Sequence, residues 1–107
     1  MKKRKSVLNS KKLERNFQKQ LIKDIKKRFK GAFVLKLDPN YLQGVPDLLV
    51  LFKNHWATLE VKRSAHAPHR PNQDRYVALM NQMSFSRFIY PENKESVLNE
   101  MEKVFKR

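Results

Sequence analysis

The sequence predicts a single α/β domain in which a helix, three strands, a second helix, a fourth strand and a last helix follow one another. Apolar residues recur at helical spacing in three stretches, and short apolar runs bounded by Gly, Pro, Asp and Asn lie between them. A chain of 107 residues has room for one core.

Residues 1–10, which include Met1-Lys2-Lys3-Arg4-Lys5, read as a disordered basic arm, so the domain proper is 11–107. A helix is expected from near Ser10. Leu13, Phe17, Leu21, Ile25 and Phe29 recur every four residues, with Ile22 beside them, and form one apolar stripe. Lys12, Lys19, Lys23, Lys26 and Lys27 are largely off it, and Gly31 is a natural stop. Ala32 to Leu37 reads as a strand, followed by the turn cluster Asp38-Pro39-Asn40. Pro46 opens a second strand over Asp47–Phe52, Lys53-Asn54 makes a tight turn, and a third strand runs from His55 to near Arg63. Ser64–Pro71 is a loop. Pro71 suits the first turn of a second helix, with Tyr76, Val77, Met80 and Met83 facing inward. Phe85–Tyr90 is a fourth strand, which Pro91 ends. Asn93 caps a final helix that buries Val97, Leu98, Met101, Val104 and Phe105.

Charge narrows the function. Twenty-four Lys and Arg against 10 Asp and Glu give a formal net charge of +14. Self-repulsion of that size calls for an anionic partner, of which nucleic acid is the commonest. No cysteine is present, so a disulfide framework and a thiolate zinc site are excluded, and a reducing, cytoplasmic setting is expected. No long apolar run follows the basic start, so neither a signal peptide nor a membrane span is expected.

The chemistry lies in the hairpin. If Lys53-Asn54 is a two-residue turn, Phe52 faces His55, Asp47 faces Glu60 and Val45 faces Lys62. Opposed residues point to the same side of a sheet, so Asp47, Glu60 and Lys62 emerge together at one end. Leu49, Leu51, Trp56 and Thr58 share that face. Leu48, Val50, Phe52, Ala57, Leu59 and Val61 make an apolar face on the other side, to be covered by a helix. Two adjacent carboxylates repel each other unless a cation sits between them. Oxygen ligands suit Mg²⁺ or Mn²⁺, which polarise a phosphodiester and acidify a bound water. Lys62 could orient that water or stabilise charge on phosphorus.

Val45-Pro46-Asp47 followed by Glu60-Val61-Lys62 resembles the PD-(D/E)XK nuclease motif. Gly44-Val45-Pro46-Asp47-Leu48-Leu49-Val50 and Leu59-Glu60-Val61-Lys62-Arg63 resemble its VRR-NUC branch, the virus-type replication-repair nucleases. Glu14 in the first helix and Gln73 after the E-x-K strand match two further positions of that pattern, which runs from about Lys11 to Tyr90. The resemblance implies a restriction-endonuclease-like core, a mixed four-stranded sheet flanked by helices. It implies an Mg²⁺- or Mn²⁺-dependent endonuclease cutting DNA, in phage-type replication, recombination or repair; because so short a chain has little surface for reading sequence, selectivity for branched, flap or junction structures is expected. It makes Asp47, Glu60 and the Val61 carbonyl metal ligands, with Glu14 supporting the metal or its water. Lys62 becomes the catalytic lysine and Gln73 a residue that orients groups at the site. Cutting both strands at once takes two sites, so a homodimer is expected.

Other signals are weaker. His66 and His69 have H-x-x-H spacing, but no third or fourth zinc ligand is near, and a flexible loop presenting histidines to phosphate is the preferred reading. Tyr41 and Trp56 could stack on bases, although Trp56 is better placed as part of the sheet. Two alternatives stay open: a non-catalytic basic DNA-binding module, and a ribonuclease.

Overall fold

Alternating apolar residues around Lys53-Asn54 dictate the centre of the fold. In the computed structural model, which describes the backbone of residues 2–107 and the side chains of residues 9–107, strands β2 (Leu48–Phe52) and β3 (His55–Val61) form an antiparallel hairpin. Its register is Phe52 with His55, Leu51 with Trp56, Val50 with Ala57, Leu49 with Thr58 and Leu48 with Leu59, as the two-residue turn predicts. Lys53 adopts φ 56°, the left-handed conformation that such a turn demands of at least one residue. β1 (Phe33–Lys36) adds to β2 antiparallel, and β4 (Ser86–Ile89) adds to β3 parallel. The sheet is therefore mixed, in the order β1-β2-β3-β4. With helices α1 (Lys2–Arg28), α2 (Gln73–Met83) and α3 (Lys94–Phe105), the expected α-β-β-β-α-β-α order is the observed one.

One sheet face carries the core. Leu48, Val50, Ala57, Leu59 and Val61 are fully buried, packed with Leu21, Ile25 and Phe29 from α1 and its end and with Val97, Leu98, Met101 and Phe105 from α3. Each large apolar side chain removed from water here contributes about 1.5–3 kcal/mol. Phe29, Phe52 and Phe105 pack edge-on and stacked at centroid separations of 5.3–5.6 Å, closing the core below the hairpin turn. α2 lies on the opposite face, where the Thr58 hydroxyl donates to Ser86 Oγ at 2.8 Å and meets Met80 Sδ at 3.4 Å.

Several details differ from expectation. The basic arm expected over 1–10 falls mostly on residues 1–8, whose side chains lie outside the described residues. α1 itself begins at Lys2, ahead of the expected Ser10 start. Leu13 belongs to the apolar stripe by spacing, yet it is 60% exposed, because the core begins only at the Phe17 turn. α2 begins at Gln73 rather than Pro71: Asn72 adopts φ 71°, which no helix continues through. Only Val77 of the four apolar residues expected inside α2 is buried, and Met83 is 72% exposed, since α2 covers β3 and β4 but not the β1 side. Asn93 precedes α3 without capping it by its side chain. It accepts from Tyr90 N–H at 2.9 Å and donates to the Phe88 carbonyl at 3.0 Å, bracing the turn at Pro91.

Candidate active site

The site grows from the open end of the hairpin. Asp47 immediately precedes β2, and Leu37 N–H donates to its carbonyl at 2.9 Å, so the β1–β2 ladder continues past Leu48 and fixes the backbone there. The register carried on by one pair places Asp47 opposite Glu60. Val61 N–H donates to Asp47 Oδ2 at 2.8 Å, which ties the carboxylate of one strand to the backbone of the other. Glu60 is 3% exposed and Lys62 5% exposed, on the side of the sheet away from the α1–α3 core.

A cleft of about 410 Å³ opens over this end. Asp47, Glu60 and Lys62 line it together with Glu14 from α1 and Gln73 from the start of α2. Five of the six expected site residues therefore meet, from four elements separated in sequence. The sixth, Val61, has its side chain in the core and does not line the cleft; its backbone contributes the N–H that holds Asp47.

Gln73 joins the parts. Its amide nitrogen donates to Glu60 Oε2 at 3.0 Å, and its Oε1 accepts from Lys62 Nζ at 2.7 Å and from Arg70 N–H at 2.8 Å. Lys62 Nζ also donates to the Pro68 carbonyl at 3.1 Å and lies 3.7 Å from Glu60 Oε2. The loop reaches this position through a close approach. Gly44, at φ +90°, lies against Pro71 and Asn72 so tightly that a Cβ would come within 2.6 Å of Asn72 Cβ and 2.8 Å of the Pro71 carbonyl oxygen. Glycine is required there on both counts.

The electrostatics match crowded carboxylates. Burial first, then the charge of Asp47 and a hydrogen bond shared with it, push the Glu60 carboxyl up to about 9, against the opposing pull of Lys62. Burial and then Asp47 also raise Glu14, opposed by Lys62, Arg70 and Arg63. Glu60 Oε1 is buried and receives no donor. A buried oxygen without a partner costs free energy, and either a proton bridging to Asp47 or a cation would satisfy it.

That orphan oxygen and the all-oxygen donor set fit a hard divalent ion. Among the described residues no three His, Cys, Asp or Glu side chains gather into a ready ligand cage. Mg²⁺ does not need one, because it is held through one or two carboxylates and keeps several waters.

The sequence pattern did not single out Arg63 and Arg70, which bring positive charge to the cleft, or Asn40 and Gln43, which line its other wall. Arg63 directly follows the E-x-K triplet, the one cue available. Tyr41 stands between the two amides, 90% exposed. Trp56 is half-buried on the sheet. His69 is not a loose loop residue: its ring stacks on Phe88 at 4.0 Å and its Nδ1 lies 2.7 Å from Asp74 Oδ1.

No protein-family model and no curated protein matches the sequence. No helix among the described residues is long and apolar enough to cross a membrane.

Proposed function

We propose that the protein is a metal-dependent nuclease of the PD-(D/E)XK type, VRR-NUC branch, with a restriction-endonuclease-like core, and that it hydrolyses phosphodiester bonds in DNA. One observation carries this reading: Asp47, Glu60, Lys62, Glu14 and Gln73 line a single cleft in a chain of net charge +14. A structural carboxylate such as Glu60 has little reason to be buried, with one oxygen unpartnered, beside an amine and a second carboxylate.

Asp47 and Glu60 would hold Mg²⁺ or Mn²⁺, with Glu14 within reach of its waters and the Val61 carbonyl as a backbone ligand. When bound, the ion polarises the phosphoryl oxygen and lowers the pKa of a water. The chain's own residues do the rest. Val61 N–H and the Gln73 amide each fix one oxygen of a carboxyl, which leaves Glu60 Oε1 available. Pro68 and Gln73 take two of the three Lys62 N–H donors, and Glu60 Oε2 at 3.7 Å is too far for a third hydrogen bond. The remaining N–H is kept for the phosphate, where it stabilises the charge that develops as water adds to phosphorus and the ester oxygen leaves. Arg63 and Arg70 neutralise flanking phosphates, and Tyr41 offers a face to a base.

A small domain has little surface for reading sequence, which favours selection by DNA structure, such as branches, flaps or junctions, in phage-type replication, recombination or repair. A homodimer belongs to the same proposal, since cutting both strands at once takes two sites. So does a cytoplasmic setting, which suits a cysteine-free DNA enzyme.

The test is digestion of labelled duplex DNA, branched DNA and RNA with Mg²⁺, Mn²⁺ or EDTA. Cleavage of DNA with either metal and none in EDTA is expected. Lys62→Ala and Asp47→Asn should abolish it while DNA binding stays near the wild-type level. Cleavage in EDTA, preference for RNA, or loss of binding together with cleavage would overturn the reading.

A further inference from the structure

His69 lines no part of the cleft, yet both of its chain neighbours are wired into it by their backbones. The Pro68 carbonyl accepts from Lys62 Nζ at 3.1 Å, and Arg70 N–H donates to Gln73 Oε1 at 2.8 Å. Between them the His69 side chain is clamped twice. Its ring lies almost parallel to Phe88, at 4.0 Å between centroids and 11° between planes. Its Nδ1 sits 2.7 Å from Asp74 Oδ1, and because an ionised carboxylate only accepts, Nδ1 carries the proton.

The two clamps join the loop to β4 and to α2, beside the site. Phe88 of β4 pairs in register with Glu60 of β3, and Asp74 directly follows Gln73 in α2. His66, three residues earlier, is exposed, and among the described residues its one hydrogen bond is from its backbone N–H to Ser64 Oγ. The double anchorage is therefore particular to position 69.

We propose that His69 is a positioning residue for Lys62. It sets the loop so that the Pro68 carbonyl and the Arg70 N–H hold the lysine amine and the Gln73 amide in their working places. The inference rests on the nuclease reading for its kinetic consequence, but the positioning itself is a property of the loop. Losing an aromatic stack and one charge-assisted hydrogen bond frees backbone groups one residue away on either side. The amine is then misplaced in the transition state, while the Arg63 and Arg70 side chains that meet DNA are retained, so the loss falls mainly on kcat rather than KM.

The experiment uses the full chain and two readouts. Hydrogen exchange of the Arg70 amide is followed in wild type, His69→Ala, His69→Phe and Asp74→Asn, with the amide of Leu59 as the core reference. In His69→Ala the Arg70 amide should exchange about tenfold faster while Leu59 is unchanged. His69→Phe keeps the stack and should recover much of the protection, and Asp74→Asn should lie between it and wild type. On labelled DNA with Mg²⁺, His69→Ala should lose about tenfold in kcat with KM altered less than twofold. Unchanged Arg70 exchange in His69→Ala overturns the proposal, as does an equal rise at Leu59, which would mark general destabilisation. Faster Arg70 exchange with kcat unchanged also overturns it. If the wild-type protein cleaves nothing, the nuclease reading fails, and the exchange data alone decide whether His69 holds the loop.

Discussion

Glu60→Gln tests the crowding of the two carboxyls directly. Glu60 holds its proton up to about 9 in the fold against an ordinary value of 4.5. Below about pH 4.5 both the folded and unfolded chains carry that proton, and nothing is lost. Above it the unfolded chain releases the proton while the fold retains it, so stability falls as pH rises until the folded carboxyl itself ionises near 9. The slope is about 1.4 kcal/mol per pH unit, which amounts to about 3 kcal/mol by pH 7. An amide at position 60 is neutral in both states. It can still accept from Gln73 and can donate to Asp47, so it mimics the protonated acid without the linkage. Urea and thermal denaturation in EDTA, from about pH 4 to 9, measure the difference. At pH 7 the variant should be more stable than wild type by about 2–3 kcal/mol, or about 10 °C in Tm, and the gap should close at the acid end. Mg²⁺ should raise the Tm of wild type more than that of the variant. A gap independent of pH, or a wild type more stable at pH 8, would refute the reasoning.

Gly44→Ala should cost about 1–3 kcal/mol in urea denaturation, from the positive φ and the contact with Asn72, and should lower cleavage further by displacing Gln73. Tyr41→Ala should weaken binding of DNA carrying an unpaired base about tenfold in a fluorescence titration, with Tyr41→Phe near wild type, because the side chain is exposed and only its ring face is at stake. Affinity for DNA should fall steeply between about 50 and 200 mM salt, measured by the same titration, as expected of a surface with this excess of Lys and Arg.

The hairpin was the most legible part of the chain because its rules are local. A two-residue turn sets which residues face each other, and a period of two sets which side each occupies, so the Leu48–Leu59 pairing and the Asp47–Glu60 alignment follow from numbering alone. The buried stripes of α1 from Leu21 onward and of α3 were legible for the same reason. What stayed hidden depends on neighbours distant in sequence. Spacing cannot say where a helix outruns its sheet, so Leu13 and Met83 looked buried. Pro71 looked like a helix start because the approach of Gly44, which goes with the left-handed turn at Asn72, is a tertiary contact. The grip of the Pro68 carbonyl on Lys62 uses backbone atoms that every residue possesses, and so leaves no mark in the choice of side chain. Glu14 and Gln73 had no local signal and came only from the family resemblance; their meeting in the cleft is a feature of the folded chain.

The turn at Lys53-Asn54 also limits how this gene can change. Inserting or deleting one codon within β2 or β3, where no bulge takes up the change, would reverse the parity of that strand and send its carboxylate to the α1–α3 side, among the leucines and valines. Changes of two codons, shortening or lengthening the arm by a full pleat, would keep both acids on the same side. Length variation within these paired strands is thus confined to even steps, and single-residue changes are left to the turn, where they spare both the core and the cleft.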